Sequence, residues 1–136
     1  FAAGNRELIG ALARIKSYLD YGTFTPIQVA AIAALEGDQK CVHEIRDMYQ
    51  SRRDVLCEGL NALGWPVEKP KATMFVWAKI PEAYQTSEEF SEHILHKHHL
   101  FAAPGTVFGS AGEGYIRFSL CVDEATIEKA IKRVES

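Results

Sequence analysis

The stretch Gly114-Tyr115-Ile116-Arg117-Phe118-Ser119-Leu120 alternates apolar and non-apolar residues with a period of two. That period makes a strand with two unlike faces. Ile116, Phe118 and Leu120 fall on one face, and Tyr115, Arg117 and Ser119 on the other. Arg117 stands between two large apolar neighbours. A guanidinium half-buried there needs an anionic partner, and its planar fork suits a carboxylate held by two parallel hydrogen bonds. An exposed strand arginine, or one tied into an internal salt bridge, fits the same residues.

Working outward from this strand, Asp123 is placed to cap a last helix with Ile127, Ala130, Ile131 and Val134 on one face. Upstream, Pro104-Gly105-Thr106-Val107-Phe108-Gly109 is a glycine-punctuated loop, and Leu100-Phe101-Ala102-Ala103 a short strand. Thr86-Ser87-Glu88-Glu89 is a capping box that opens a helix through His98, with Phe90, Ile94 and Leu95 inward. Thr73 to Ile80 is rich in aromatic and apolar residues and is predicted as the best strand. Met74, Val76, Ala78 and Ile80 share its one face, and Phe75, Trp77 and Lys79 the other. Trp65-Pro66-Val67-Glu68 is predicted as a short edge strand. From Gly64 onward the order is strand, strand, helix, strand, strand, helix. The fold class is α/β, an α+β two-layer sandwich with helices on one face of a small sheet. Arg117 then points to the open face.

The N-terminal part is helical. Asn5 caps a helix to Asp20 whose apolar positions are Leu8, Ile9, Leu12, Ile15 and Leu19. Thr25 is the expected cap of a second helix, with Pro26 at its first position. Ile27 to Leu35 is almost wholly apolar, the pattern of a buried helix that needs cover from further chain or another subunit. A long helix follows from Asp38 to Leu63, closed by Gly64 as a left-handed cap residue. Its predicted buried stripe is Cys41, Ile45, Met48, Tyr49, Val55, Leu56 and Leu63, with Arg46, Arg52, Arg53 and Asp54 on wetter sides. The boundary between subdomains is placed at Gly37, giving 1–37 and 38–136.

A chain of 136 residues, 47% hydrophobic and 24% charged, is long enough for one domain with a proper core. A net charge of -3 gives no electrostatic case for a nucleic-acid partner. No apolar run reaches membrane-spanning length, and no signal peptide is visible. The three cysteines are far apart and follow no ligand spacing, which fits free thiols in a reducing cytoplasm. The chain opens at Phe1, and Phe1-Ala2-Ala3-Gly4-Asn5 looks like a strand running into a turn, so a piece of something longer is expected.

Other candidate chemistry is weaker. His93 and His96 share a helix face, yet no carboxylate or cysteine completes a metal site, and His93, His96, His98 and His99 are expected to form a solvated helix end. Gly105, Gly109, Gly112 and Gly114 lack a phosphate-loop context and are expected to serve turn geometry. Cys121 has no positioned base and is expected in the core. No lysine lies in an apolar or glycine- or serine-rich context suited to a Schiff base. The residues alone therefore give a small-molecule-binding subdomain with one candidate arginine, no catalytic group and no metal site.

Several stretches together resemble the C-terminal part of class I/II aminotransferases, the fold-type I enzymes that use pyridoxal 5'-phosphate. These are Pro104-Gly105-Thr106-Val107-Phe108-Gly109 with the Arg117-Phe118-Ser119 strand, Lys71-Ala72-Thr73-Met74-Phe75-Val76-Trp77, and Phe1-Ala2-Ala3-Gly4-Asn5 with Tyr18-Leu19-Asp20-Tyr21-Gly22-Thr23-Phe24-Thr25-Pro26-Ile27-Gln28. The last is especially similar to the bacterial alanine (glutamate–pyruvate) and LL-diaminopimelate aminotransferase branch. The resemblance implies that Arg117 grips the substrate α-carboxylate, that the parent is a cytoplasmic homodimer, and that Tyr21 and Thr23 approach the cofactor of the neighbouring subunit. It implies amino transfer between an amino acid, alanine or glutamate first and LL-diaminopimelate second, and a 2-oxo acid. The family's Schiff-base lysine, phosphate-binding arginine and pyridine-pairing aspartate have no counterpart here, so the chain alone is expected to be inactive. Rival expectations are a lyase or synthase of the same fold, and a non-catalytic regulatory binding domain.

Overall fold

A computed structural model describes residues 1–135. The chain divides into two compact units, one from Phe1 to Cys41 and one from Val42 onward.

In the first unit, α1 spans Arg6–Leu19 and α2 spans Thr25–Glu36. Asn5 Oδ1 accepts from the backbone N–H of Glu7 (2.9 Å) and Leu8 (3.3 Å), which satisfies two donors at the start of α1. Asp20 then stops the turn by accepting from Gly22 N at 2.8 Å, where Gly22 takes φ +110°. The cap of α2 corrects the sequence expectation. Phe24, not Thr25, holds the cap position, and its carbonyl accepts from Ile27 N at 2.9 Å with no side-chain cap. The apolar face of α2 lies open among the described residues, with Ile27, Val29, Ile32 and Leu35 all more than half exposed, as expected of a helix that needs cover from further chain or another subunit.

α3 (Lys40–Ala62), which begins at the end of the first unit and runs into the second, is opened by Asp38, whose carboxylate accepts from Lys40 N at 2.8 Å. Only its C-terminal part enters the core, through Leu56, Cys57 and Leu60. The expected stripe fails at Cys41, Ile45 and Met48, which are exposed among the described residues. Arg52 and Arg53, expected on wetter sides, are half-buried. Arg52 Nη1 donates to Leu120 O at 3.1 Å, and Arg53 Nη1 to Pro70 O at 3.1 Å. Gly64 takes φ +80° and closes the helix, with Trp65 N donating to Leu60 O at 3.0 Å.

Trp65 to Glu68 is coil, not a strand. The Asn61 side chain takes both backbone groups of Val67, donating to its carbonyl at 2.9 Å and accepting from its N–H at 3.1 Å, so that residue has no pairing left for a ladder. The sheet is three-stranded and antiparallel in the order β1-β3-β2, from Phe75–Lys79, Tyr115–Ser119 and Ala103–Pro104 respectively. β1 starts later than predicted because Thr73 sits at φ +79° and its hydroxyl accepts from Phe75 N, which leaves Met74 outside the strand and exposed. β2 likewise forms at Ala103–Pro104 rather than from Leu100.

The alternation in the two long strands is as expected. Val76, Ala78 and Ile116 are buried, and they join Leu120, Phe90 and Ile94 of α4 (Ser87–His98), Ile127 of α5 (Glu124–Glu135) and the end of α3 in one core. The capping box of α4 forms with one change: Thr86 Oγ1 accepts from Glu89 N, while Glu89 reaches back to Gln85 N rather than Thr86 N. Asp123 caps α5 through Thr126 N at 2.8 Å. Two further expectations are corrected. His98 is buried, with Nδ1 2.6 Å from the Arg133 carbonyl, because the end of α4 packs on α5. Cys121 is exposed, since it follows β3 past the core residue Leu120.

Candidate carboxylate-binding site

Arg117 lies in the central strand of the sheet. Its register partners are Trp77 on β1 and Ala103 on β2. Partners in register share a face, so the open face carries Phe75, Trp77 and Lys79 beside Tyr115, Arg117 and Ser119. Arg117 itself is half-buried.

Two aromatic rings cover the guanidinium. Its Cζ is 3.9 Å from the ring centre of Phe75 and 3.8 Å from that of Phe108. Two stacked rings that close to one carbon would overlap if they shared a side, so they take opposite faces. Phe75 is the diagonal cross-strand neighbour of Arg117, a position from which a long side chain can reach. Phe108 arrives from the loop, at the end of a 3₁₀ turn (Gly105–Phe108) that is followed by a second (Ser110–Gly112). Gly109 joins the two turns at φ +119°. Trp77 buttresses Phe108 edge-on, with ring centres 5.5 Å apart at 75°.

Among the described residues, no carboxylate or carbonyl bonds the Arg117 guanidinium; its contacts are the two rings. Cation–π attraction of about 0.5–2 kcal/mol per ring offsets part of the desolvation. The N–H edge remains available, and it matches the two oxygens of a planar carboxylate. A shallow cavity of about 390 Å³ adjoins this place, lined by Trp77, Phe108, Ala111, Gly112 and Tyr115. A larger one of about 700 Å³ lies among Trp65, Tyr84, Phe90, His93 and His98 and includes no arginine, so size alone does not mark the candidate site.

The other predicted residues are placed elsewhere. Tyr21 and Thr23 sit in the turn between α1 and α2, in the first unit, where Tyr21 is fully exposed and the Thr23 carbonyl accepts from Gln28 Nε2 at 2.6 Å. Among the described residues there is no group of three or more His, Cys, Asp or Glu side chains that could hold a metal. Every lysine is exposed. Lys69 is paired with Glu58 (2.6 Å) and Asp54 (3.2 Å), and the Glu58 carboxylate first, with Asp54, holds its ammonium above the usual range. No lysine here is desolvated as a nucleophilic amine requires, so these residues do not fit covalent attachment of an aldehyde cofactor. Sequence reasoning missed the aromatic cover. The period of β1 placed Phe75 on the face of Arg117, but nothing local to Phe108 marks where its ring goes.

A charged fork at the centre of an open sheet face, with its edge free, has the geometry that two parallel hydrogen bonds to a planar anion would require. The sequence model described as Aminotransferase class I and II matches residues 1–134, and the chain belongs to that family. It is 53% identical to the glutamate-pyruvate aminotransferase AlaC of Escherichia coli over all of this chain and 34% of that protein. It is 47% identical to an LL-diaminopimelate aminotransferase of Moorella thermoacetica over 98% of this chain and 34% of that one. The chain thus spans about a third of the curated relatives it matches. Among solved structures, an aminotransferase from Staphylococcus aureus superposes with a TM-score of 0.85 at 30% identity, covering 97% of this chain and 35% of that one. The alanine aminotransferase from Pyrococcus furiosus gives 0.77 at 31% identity, over 96% and 33%.

Proposed function

We propose that the chain is the C-terminal portion of a pyridoxal-phosphate-dependent aminotransferase that moves an amino group between alanine or glutamate and a 2-oxo acid, with Arg117 gripping the substrate α-carboxylate. The observation that carries this is the half-buried guanidinium with both faces covered and no anion among the described residues on its edge. By holding the carboxylate in two parallel hydrogen bonds, Arg117 fixes the orientation of the α-carbon beside it. The cofactor supplies an electron sink for the carbon from which a proton is removed. Its attachment belongs to the parent protein outside this chain, and the chain alone does not turn over.

Residues 1–37 are assigned to the end of the large domain and 38–136 to a connecting helix and the small domain. The exposed apolar residues of α2 support a homodimer whose partner or upstream chain covers them, with Tyr21 and Thr23 reaching the neighbouring site. The free cysteines fit a cytoplasmic protein. LL-diaminopimelate is the second substrate reading, favoured by the relative in Moorella thermoacetica.

The test is Arg117→Lys in the full-length enzyme. Loss of the bidentate fork is expected to raise KM for the amino acid strongly. Unchanged kinetics would remove Arg117 from the site.

A further inference from the structure

We infer that Phe75 and Phe108 are positioning residues that make Arg117 selective for planar anions. This rests on the reading of Arg117 as the carboxylate-binding group. A guanidinium in water can accept an anion on its edge or over its face. Here the rings of Phe75 and Phe108 stand 3.9 and 3.8 Å from Cζ and occupy both faces. Approach is left only within the guanidinium plane. A carboxylate has two oxygens in one plane and fits that slot with both bonds made. A tetrahedral phosphonate or sulfonate carries a third oxygen out of the plane, directed at one ring. The clamp therefore discriminates by shape at a fixed charge of the arginine.

The support for the rings differs. Phe75 is fixed by the sheet register. Phe108 depends on the loop, where Gly105 and Gly112 touch backbone to backbone, and on the edge of Trp77. The small Ala103, register partner of Arg117 on β2, adds little bulk on that side.

The experiment uses the full-length holoenzyme with L-alanine and its phosphonate analogue, 1-aminoethylphosphonate, as probes. Phe108→Leu and Phe75→Leu keep apolar volume and remove the flat ring. Each is expected to raise KM for L-alanine by about tenfold, because the guanidinium is no longer held in one plane before the substrate arrives, with the loss falling on KM more than kcat. The ratio of L-alanine affinity to phosphonate affinity should fall with it. Phe108→Tyr keeps the ring and should restore both. The inference is overturned if the leucine variants keep the wild-type ratio, or if Phe108→Tyr is as impaired as Phe108→Leu. Arg117→Lys is measured in parallel. If it leaves L-alanine binding unchanged, the carboxylate-binding reading itself fails. If it weakens binding while both leucine variants do not, only the clamp fails.

Discussion

Gly105 and Gly112 lie backbone against backbone, so that a β-carbon added to either one would run into the carbonyl group of the other. The contact pins together the two ends of the loop that presents Phe108 to Arg117. Backbone atoms cannot swing aside as the tip of a flexible side chain can. Gly112→Ala is therefore expected to destabilise the fold by about 1–3 kcal/mol, the usual cost of overpacking. In the full-length enzyme it should also raise KM for the amino acid, because Phe108 moves with the loop. Thermal unfolding and steady-state kinetics check the two effects separately. A variant with wild-type melting temperature and KM would show that the loop has room it does not display here.

Asn61 does the work of a missing strand. Its amide donates to Cys57 O (2.6 Å) and Val67 O (2.9 Å) and accepts from Val67 N (3.1 Å), holding the coil after α3 against the core. Val67 is buried, so its two backbone groups depend on these bonds. Asn61→Ala should cost about 1–2 kcal/mol, toward the low end for several bonds because Asn61 is itself exposed and water can replace part of them. Asn61→Asp keeps the acceptor for Val67 N but turns a second carboxylate oxygen toward the Cys57 and Val67 carbonyls, so at neutral pH it should be no more stable than the alanine variant. Denaturant titration gives the ranking, and an alanine variant as stable as wild type would contradict it.

Much of the fold was legible because its periods are clean. The alternation of Tyr115 to Leu120 placed Ile116 in the core and Arg117 on the open face, and the caps at Asn5, Thr86 and Asp123 lie where their side chains predicted. The failures have physical causes of their own. Cys41, Ile45 and Met48 have the spacing of a buried stripe, but spacing only says which residues share a face; it does not supply the surface that covers them. Trp65 to Glu68 has strand composition, yet the side chain of Asn61, in the last turn of α3, takes the backbone groups of Val67 that a sheet would need. His98 is polar and near a helix end, and still buried, because the Arg133 carbonyl accepts a hydrogen bond from its Nδ1 at 2.6 Å. At the candidate site the arginine was legible from one strand. Its aromatic cover was not, since Phe108 reaches it through a loop whose path depends on the Gly105–Gly112 contact.

The thiols should differ in reactivity. Cys57 is fully buried, and burial first pushes its thiol up; Cys121 is exposed, with the Ser119 hydroxyl first and the Tyr49 hydroxyl second drawing its thiol down. The thiolate is the nucleophile, so access and a lowered proton affinity act together. In the native chain at neutral pH, iodoacetamide is expected to label Cys121 well before Cys57, and Cys57 only on unfolding. Site-resolved mass spectrometry over a time course reads both rates. Equal labelling of the two would mean that the core around Cys57 opens far more readily than its packing implies.

Glu113 links the loop to α4. Its Oε1 accepts from Ser87 N and from Gly114 N, each at 2.7 Å, and these backbone bonds, Ser87 first, hold its carboxyl below the usual glutamate range. A carboxyl with a lower pKa when folded than when unfolded binds protons more weakly in the native state. Its contribution to stability is therefore fully present above the unfolded value and is lost as the pH falls through the lower, folded one. Between neutral pH and the unfolded value this contribution is flat; below it, the native chain must give up the charge that both N–H groups point at. Glu113→Gln keeps an acceptor of the same shape but removes the titration. The variant should be less stable than wild type at neutral pH, and the gap should close as the pH is taken down through the acid limb. Urea midpoints measured from pH 7 into that limb decide it: a gap that stays constant, or widens, on acidification would show that the charge of Glu113 contributes nothing to holding Ser87 and Gly114 together.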